Sequence, residues 1–157
     1  MALLFFTVFN SILGLSVLFP VLGPLGRELG LSETEIGAIS TTYAFMQLAL
    51  SPYWGKKSET AGRKTILLVG VLGFALGFGL LAVVTELGRA GLLPHLALIA
   101  LMLGARLAGG AFASAMLPTA QAYAADLTPD RAQRTAGMAV IGAAFGIAII
   151  FGPVIGG

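Results

Sequence analysis

Residues 65–85 read TILLVGVLGFALGFGLLAVVT, a run without one charged side chain. A membrane-spanning helix needs roughly 20 mainly apolar residues, and this run supplies them. Comparable stretches recur at about 2–23, 35–54, 95–125 and 135–157. Only 10% of the 157 residues are charged and 57% are hydrophobic, whereas a soluble domain carries about 25% charged residues. Such a chain cannot cover a water-facing surface. The expected solvent is lipid, and the expected fold is an all-α membrane protein with a bundle of about five transmembrane helices. No basic stretch precedes the first run, so it reads as a span and not as a cleaved signal peptide. The fourth stretch begins near Pro94 and can continue to Asp126, longer than a bilayer requires. Its far end is expected to protrude, and Pro118 is expected to bend it.

Basic residues set the direction of the spans, because cytoplasmic loops collect Lys and Arg. Lys56, Lys57, Arg63 and Lys64 follow the second span, and Arg131 and Arg134 follow the fourth; only Arg27 and Arg89 lie on the other side. This bias predicts a multi-pass protein with its N-terminus in the cytoplasm. Five spans ending on a helix that has just arrived are unusual for a finished polytopic protein, so the chain is read as a fragment.

Several patterns resemble chemistry without supplying it. GFGLLA, 77–82, imitates a dinucleotide-binding fingerprint, but that motif requires a preceding strand, and here it lies within a span; helix packing is the better reading. GKKS, 55–58, lacks the upstream glycine and the hydroxyl of a phosphate loop. His95 has no second ligand candidate nearby and sits at a span entrance. There is no cysteine, hence no disulfide and no Cys-based metal site. The net charge of +2 does not suggest nucleic acid. No enzyme, metal site or cofactor is expected.

The informative polar residues lie inside the spans. A charge in the membrane costs at least about 2.5–3.5 kcal/mol on insertion scales and tends to face a cavity or a partner. Arg106 is such a charge. At 100° per residue, Gly109, Gly110, Ala113 and Leu117 share its side of the helix. Thr7, Asn10, Ser11 and Gly14 group on one side of span one; Ser40, Tyr43, Gln47 and Ser51 group on one side of span two. One such stripe is ordinary interhelical bonding, but three on different spans suggest a shared polar cavity. In the last span Gly142, Gly146, Pro153, Gly156 and Gly157 fall on one angular stripe, which lets a neighbouring backbone approach, and Pro153 removes a donor so that the helix can bend.

Three motifs carry a resemblance. GAAFGIAIIFGPVIGG, 142–157, resembles the span-five antiporter motif of the major facilitator superfamily; GKKSETAGRK, 55–64, resembles its loop motif between spans two and three; RLAGGAFASAMLPTAQAYAADLTPDRAQR, 106–134, resembles its span-four motif and following loop. They occur in the family's order, and the chain is most similar to drug/proton antiporters of the tetracycline-efflux kind. The resemblance implies the N-terminal part of a larger helical fold whose C-terminal half is absent here. It implies a substrate and proton pathway along Arg106, Asn10, Ser11, Tyr43 and Gln47. It implies a cytoplasmic charge latch of Gly55, Glu59, Gly62, Arg63, Lys64 and Asp126, and a span-five hinge of Gly142, Gly146, Gly152, Pro153, Gly156 and Gly157. Ser11 stands where tetracycline-type members carry an aspartate.

The resulting expectation is a secondary transporter of a bacterial inner membrane. It would expel small amphipathic compounds by alternating access, drawing on the proton gradient and needing no cofactor. Its partners would be the bilayer, a small-molecule substrate and the remainder of its own chain. Uptake of a metabolite on the same scaffold is the alternative within this class. A small oligomeric membrane scaffold is the alternative outside it.

Overall fold

The computed structural model describes residues 2–128 and 130–156, and among them the chain is helical with no strand. Six helices follow one another: α1 (Ala2–Glu28), α2 (Glu33–Ala61), α3 (Arg63–Arg89), α4 (His95–Ala113), α5 (Met116–Asp126) and α6 (Arg131–Gly156). Among the described residues four segments are long and apolar enough to cross a membrane: Leu4–Glu28, Arg63–Arg89, the combined His95–Asp126, and Gln133–Gly156. The second expected span, α2, is long enough at 29 residues but less apolar. Thr41 and Thr42 on it return their hydroxyls to the carbonyls of Gly37 and Ala38, at 2.8 and 2.7 Å, which satisfies them within the helix.

The helix ends have local causes. Ser32 and Glu35 open α2 as a reciprocal capping box: the Ser32 amide donates to Glu35 Oε2 at 2.7 Å, and the Glu35 amide donates to Ser32 Oγ at 3.3 Å. The segment 55–64, expected as a loop, is helix on both sides of one residue. α2 runs through Ala61, α3 starts at Arg63, and Gly62 alone turns the chain with φ +87°. That backbone conformation suits glycine, which has no Cβ to clash. The charged run looked like a loop because of its polarity, yet Lys, Glu, Ala and Arg are good helix formers.

The fourth segment is two helices. Pro118 has no amide for the carbonyl of Ser114, and its ring crowds that carbonyl. The chain answers with a turn at Ser114–Ala115, where the Ala115 amide donates to Phe112 O at 3.0 Å. Two carbonyls lose their usual helical donors, and α2 supplies replacements. Trp54 Nε1 donates to Ala111 O at 2.7 Å, and Ser51 Oγ reaches Ser114 O at 3.5 Å. Ser114 Oγ also returns to Ala111 O at 2.6 Å.

α1 packs along α6, α3 along α4, and α2 against α4. Close approach is set by bare backbone. A Cβ on Gly77 would strike the backbone of Gly109, so the packing reading of GFGLLA holds at Gly77. The adjacent Gly110 faces α2, where an added Cβ would lie 2.8 Å from Tyr43 O. The Gly109–Gly110 pair thus seats α4 against two helices at once. Apolar side chains fill both ends of the bundle, around Leu22, Ile39, Leu81 and Met102 at one end and around Leu4, Leu67, Ala124 and Ile141 at the other. The middle is thinner, with Tyr43, Ala113 and Met116 as its buried apolar cluster. Large apolar residues such as Leu48, Leu76, Leu96 and Val154 point outward, as a lipid-covered surface requires.

Charges collect at the two ends. At one end Arg27 meets Glu33 at 2.7 Å, Arg89 meets Glu28 at 2.9 Å and Glu86 at 3.1 Å, and His95 meets Glu35 at 3.1 Å. At the other, Arg63 meets Asp126 at 2.9 Å.

Candidate functional site

The thin middle of the bundle holds a cleft of about 420 Å³. α1 contributes Ser11, Leu15 and Ser16, α2 contributes Tyr43 and Gln47, α4 and α5 contribute Ala113 and Met116, and α6 contributes Phe145, Ile149 and Pro153. The walls are mainly apolar, with a few hydroxyls and one amide. A smaller recess of about 80 Å³ shares Leu15, Phe19, Tyr43 and Gln47 with the cleft and adds Ser40 and Arg106. A cleft of this size with few polar groups is the usual form of a small-molecule site.

Arg106 sits one turn before the Gly109–Gly110 pair and is 5% exposed. Its guanidinium carbon lies 4.6 Å above the centre of the Tyr43 ring. Among the described residues no carboxylate pairs with it, and its Nε has no hydrogen-bond partner. An Arg over an aromatic face gains about 2 kcal/mol when desolvated, which offsets only part of the cost of burying a cation. Spare donors on a buried, preorganised fork are the chemistry for holding an anionic or strongly polar group.

The residues expected along the pathway divide. Tyr43, Gln47 and Ser11 reach the cleft, and Arg106 reaches the recess beside it. Ser11 also donates to Thr7 O at 2.7 Å and faces the Met116 sulfur. The structure does not bring Asn10 there. Asn10 is exposed and donates to Phe6 O of its own helix at 3.3 Å. The cleft-facing side of α1 runs through Leu15, which is about 140° around the helix from Asn10. The polar stripe on span one therefore divides: Ser11 reaches the cleft and Gly14 packs on Phe74 of α3, while Asn10 turns outward.

In the charge cluster, Arg63 donates its Nε to Asp126 at 2.9 Å and an Nη to Ser58 Oγ at 2.6 Å. Glu59 and Lys64 are exposed and join no ion pair among the described residues, and Gly55 has open space around its Cα. The contact seen ties the start of α3 to the end of α5. Ser58 is 1% exposed and was not singled out in the sequence, where a serine among charges carries no signal of burial.

The glycines of the last helix also divide. Gly152 and Gly156 press against α1, at Ser16 and at the Val17 carbonyl. Gly142 and Gly146 meet nothing within 4 Å. The expected continuous packing edge is thus two faces: Gly152 and Gly156 on α1, and Pro153 with Ile149 on the cleft. Gly157 lies outside the described residues. Apolar lining residues such as Ile12, Met116 and Phe145 were not identified from the sequence, because nothing distinguishes them there from lipid-facing ones.

Comparison with known proteins agrees with this architecture. The chain is 34% identical over 148 residues to the class B tetracycline resistance protein of Escherichia coli, a match covering 92% of this chain and 33% of that protein. It is 35% identical over 158 residues to the class E protein of the same organism, covering 96% and 34%. It is 28% identical over 154 residues to the quinolone resistance protein NorA of Staphylococcus aureus, covering 98% and 36%. The chain thus spans about a third of the length of the curated relatives it matches. Residues 4–157, nearly all of the chain and all of the helices that build the cleft, match one family throughout, and the chain belongs to the Major Facilitator Superfamily.

Proposed function

We propose that this chain is the N-terminal portion of a proton-driven exporter of small amphipathic compounds in a bacterial inner membrane. The observation that carries the reading is the largely apolar cleft of about 420 Å³ with the unpaired Arg106 in the recess beside it. The apolar walls accept an oily body; Gln47, Ser11 and Tyr43 meet a few polar groups, and the guanidinium meets developing or fixed negative charge. The relatives' names, tetracycline and quinolone resistance proteins, support export over uptake.

In this reading all five segments, α2 included, cross the membrane. The N-terminus lies in the cytoplasm, as the Lys and Arg distribution favours. Transport proceeds by alternating access, with this bundle rocking against the rest of the protein around a midplane site. The Arg63–Asp126 pair stiffens the cytoplasmic end, and α6 shapes one wall of the cleft. The proton gradient drives the cycle without a resident cofactor.

The test is transport by the full-length protein reconstituted in vesicles. An imposed pH gradient is expected to drive accumulation of a lipophilic fluorescent dye, and a protonophore is expected to abolish it. Accumulation that ignores the pH gradient refutes proton coupling; no movement of any amphipathic compound refutes the exporter reading.

A further inference from the structure

Three observations converge where α1 crosses α6. First, Pro153 has no amide, so the carbonyl of Ile149 four residues earlier has no donor within α6, although α6 continues as helix to Gly156. Second, Ser16 Oγ donates to that carbonyl from α1 at 3.2 Å. Third, Gly152 lies so close to Ser16 that an added Cβ would overlap the serine Cβ and Oγ, and a Cβ on Gly156 would overlap the Val17 carbonyl. Pro20 in α1 in turn leaves the carbonyl of Ser16 without its helical amide. Two proline-weakened stretches therefore meet at one crossing, held by one hydroxyl and two bare glycines.

We propose that Ser16 is a positioning residue whose hydroxyl replaces the amide that Pro153 lacks, locking α1 and α6 together as one wall of the cleft. Ser16, Ile149 and Pro153 all line that cleft, so the lock fixes its width. In a membrane interior a carbonyl without a donor is costly, and Ser16, which supplies the donor, is itself buried, 7% exposed. The glycines make the bond possible, because any side chain at 152 would lift α6 off Ser16. The stretch around Pro153 is then a fixed element of a rigid pair, not a free hinge. The lock itself does not depend on what the protein carries; only its effect on substrate affinity rests on the exporter reading.

The test is a double-mutant cycle in the full-length protein, read by thermal midpoint in detergent and by transport KM. Ser16→Ala strands the Ile149 carbonyl and is expected to lower the midpoint by several degrees and raise KM several-fold. Pro153→Ala restores an amide at 153. In that background Ser16→Ala is expected to do little to either readout, because the carbonyl has its own donor again. That rescue is specific: a serine that merely filled space would be missed equally with alanine or proline at 153. Equal losses from Ser16→Ala in the two backgrounds overturn the proposal. If transport is undetectable in every variant, the exporter reading fails, and the midpoints alone still decide for or against the lock.

Discussion

Arg63 and Arg106 place the same guanidinium in opposite settings. Arg63 lies at the end of the bundle, half-buried, with Asp126 at 2.9 Å and Ser58 at 2.6 Å. Arg106 lies in the middle, over the Tyr43 ring, with no hydrogen-bonding partner on its Nε among the described residues. The first is locally satisfied and exchanges easily with water, so its contribution is small. The second retains a cost that packing alone does not justify, since a leucine would fill the space without desolvating a charge. A buried charge kept with spare donors points to work done on something that comes and goes. The lesson is that position in the bundle, and not residue type, separates a satisfied arginine from one left with spare donors.

The comparison is broken most severely at Arg106. Arg106→Ala in the full-length protein is expected to cut transport at least about 100-fold, with membrane insertion intact. The loss removes a buried charge-assisted donor beside the cleft, and each 1.4 kcal/mol of barrier is worth about tenfold in rate. Vesicle transport beside a Western blot of the membrane fraction checks this. Gly110→Ala comes next. Its Cβ would sit 2.8 Å from Tyr43 O and 3.2 Å from Tyr43 Cα, so α2 must yield and the ring shifts off the guanidinium. Overpacking of this kind costs about 1–3 kcal/mol, visible as a lower thermal midpoint and weakened transport. Tyr43→Leu removes the aromatic face and is expected to cost about 1–2 kcal/mol of stability, while Tyr43→Phe keeps the face and leaves stability close to the parent's. The smallest effect belongs to Arg63. Asp126→Asn breaks a partly exposed pair, and such pairs contribute about 0–1 kcal/mol, so the midpoint is expected to stay within a degree or two.

The same contrast explains what the sequence could reveal. The all-α architecture, the charged ends and the inward placement of Tyr43, Gln47 and Arg106 follow from the length of the apolar runs and the scarcity of polar residues within them. The failures have physical causes. Asn10 looked inward because it is polar, but a side chain that bonds its own helix's Phe6 carbonyl needs no cavity. Residues 55–64 looked like a loop because they are charged, although helix formers flank a single turning glycine. Gly142, Gly146, Pro153 and Gly156 looked like one edge, but which of them meets a neighbour depends on how α6 crosses α1, and angular position alone does not contain that. Ser16 and Trp54 escaped notice because their task is set by partners distant in the chain, the carbonyls of Ile149 and Ala111 near Pro153 and Pro118.

The central claim is that the Tyr43–Gln47 face of α2 lines an aqueous cleft while its opposite face meets lipid. Gln47 lines the cleft and the adjoining recess; its neighbour Leu48 is 78% exposed on the outside. Gln47→Cys and Leu48→Cys, each made in a cysteine-free full-length protein and treated in vesicles with a charged, water-soluble thiol reagent, test this directly. The account predicts rapid labelling at 47, slowed by a transported compound, and negligible labelling at 48. Labelling at 48 with none at 47 would contradict it.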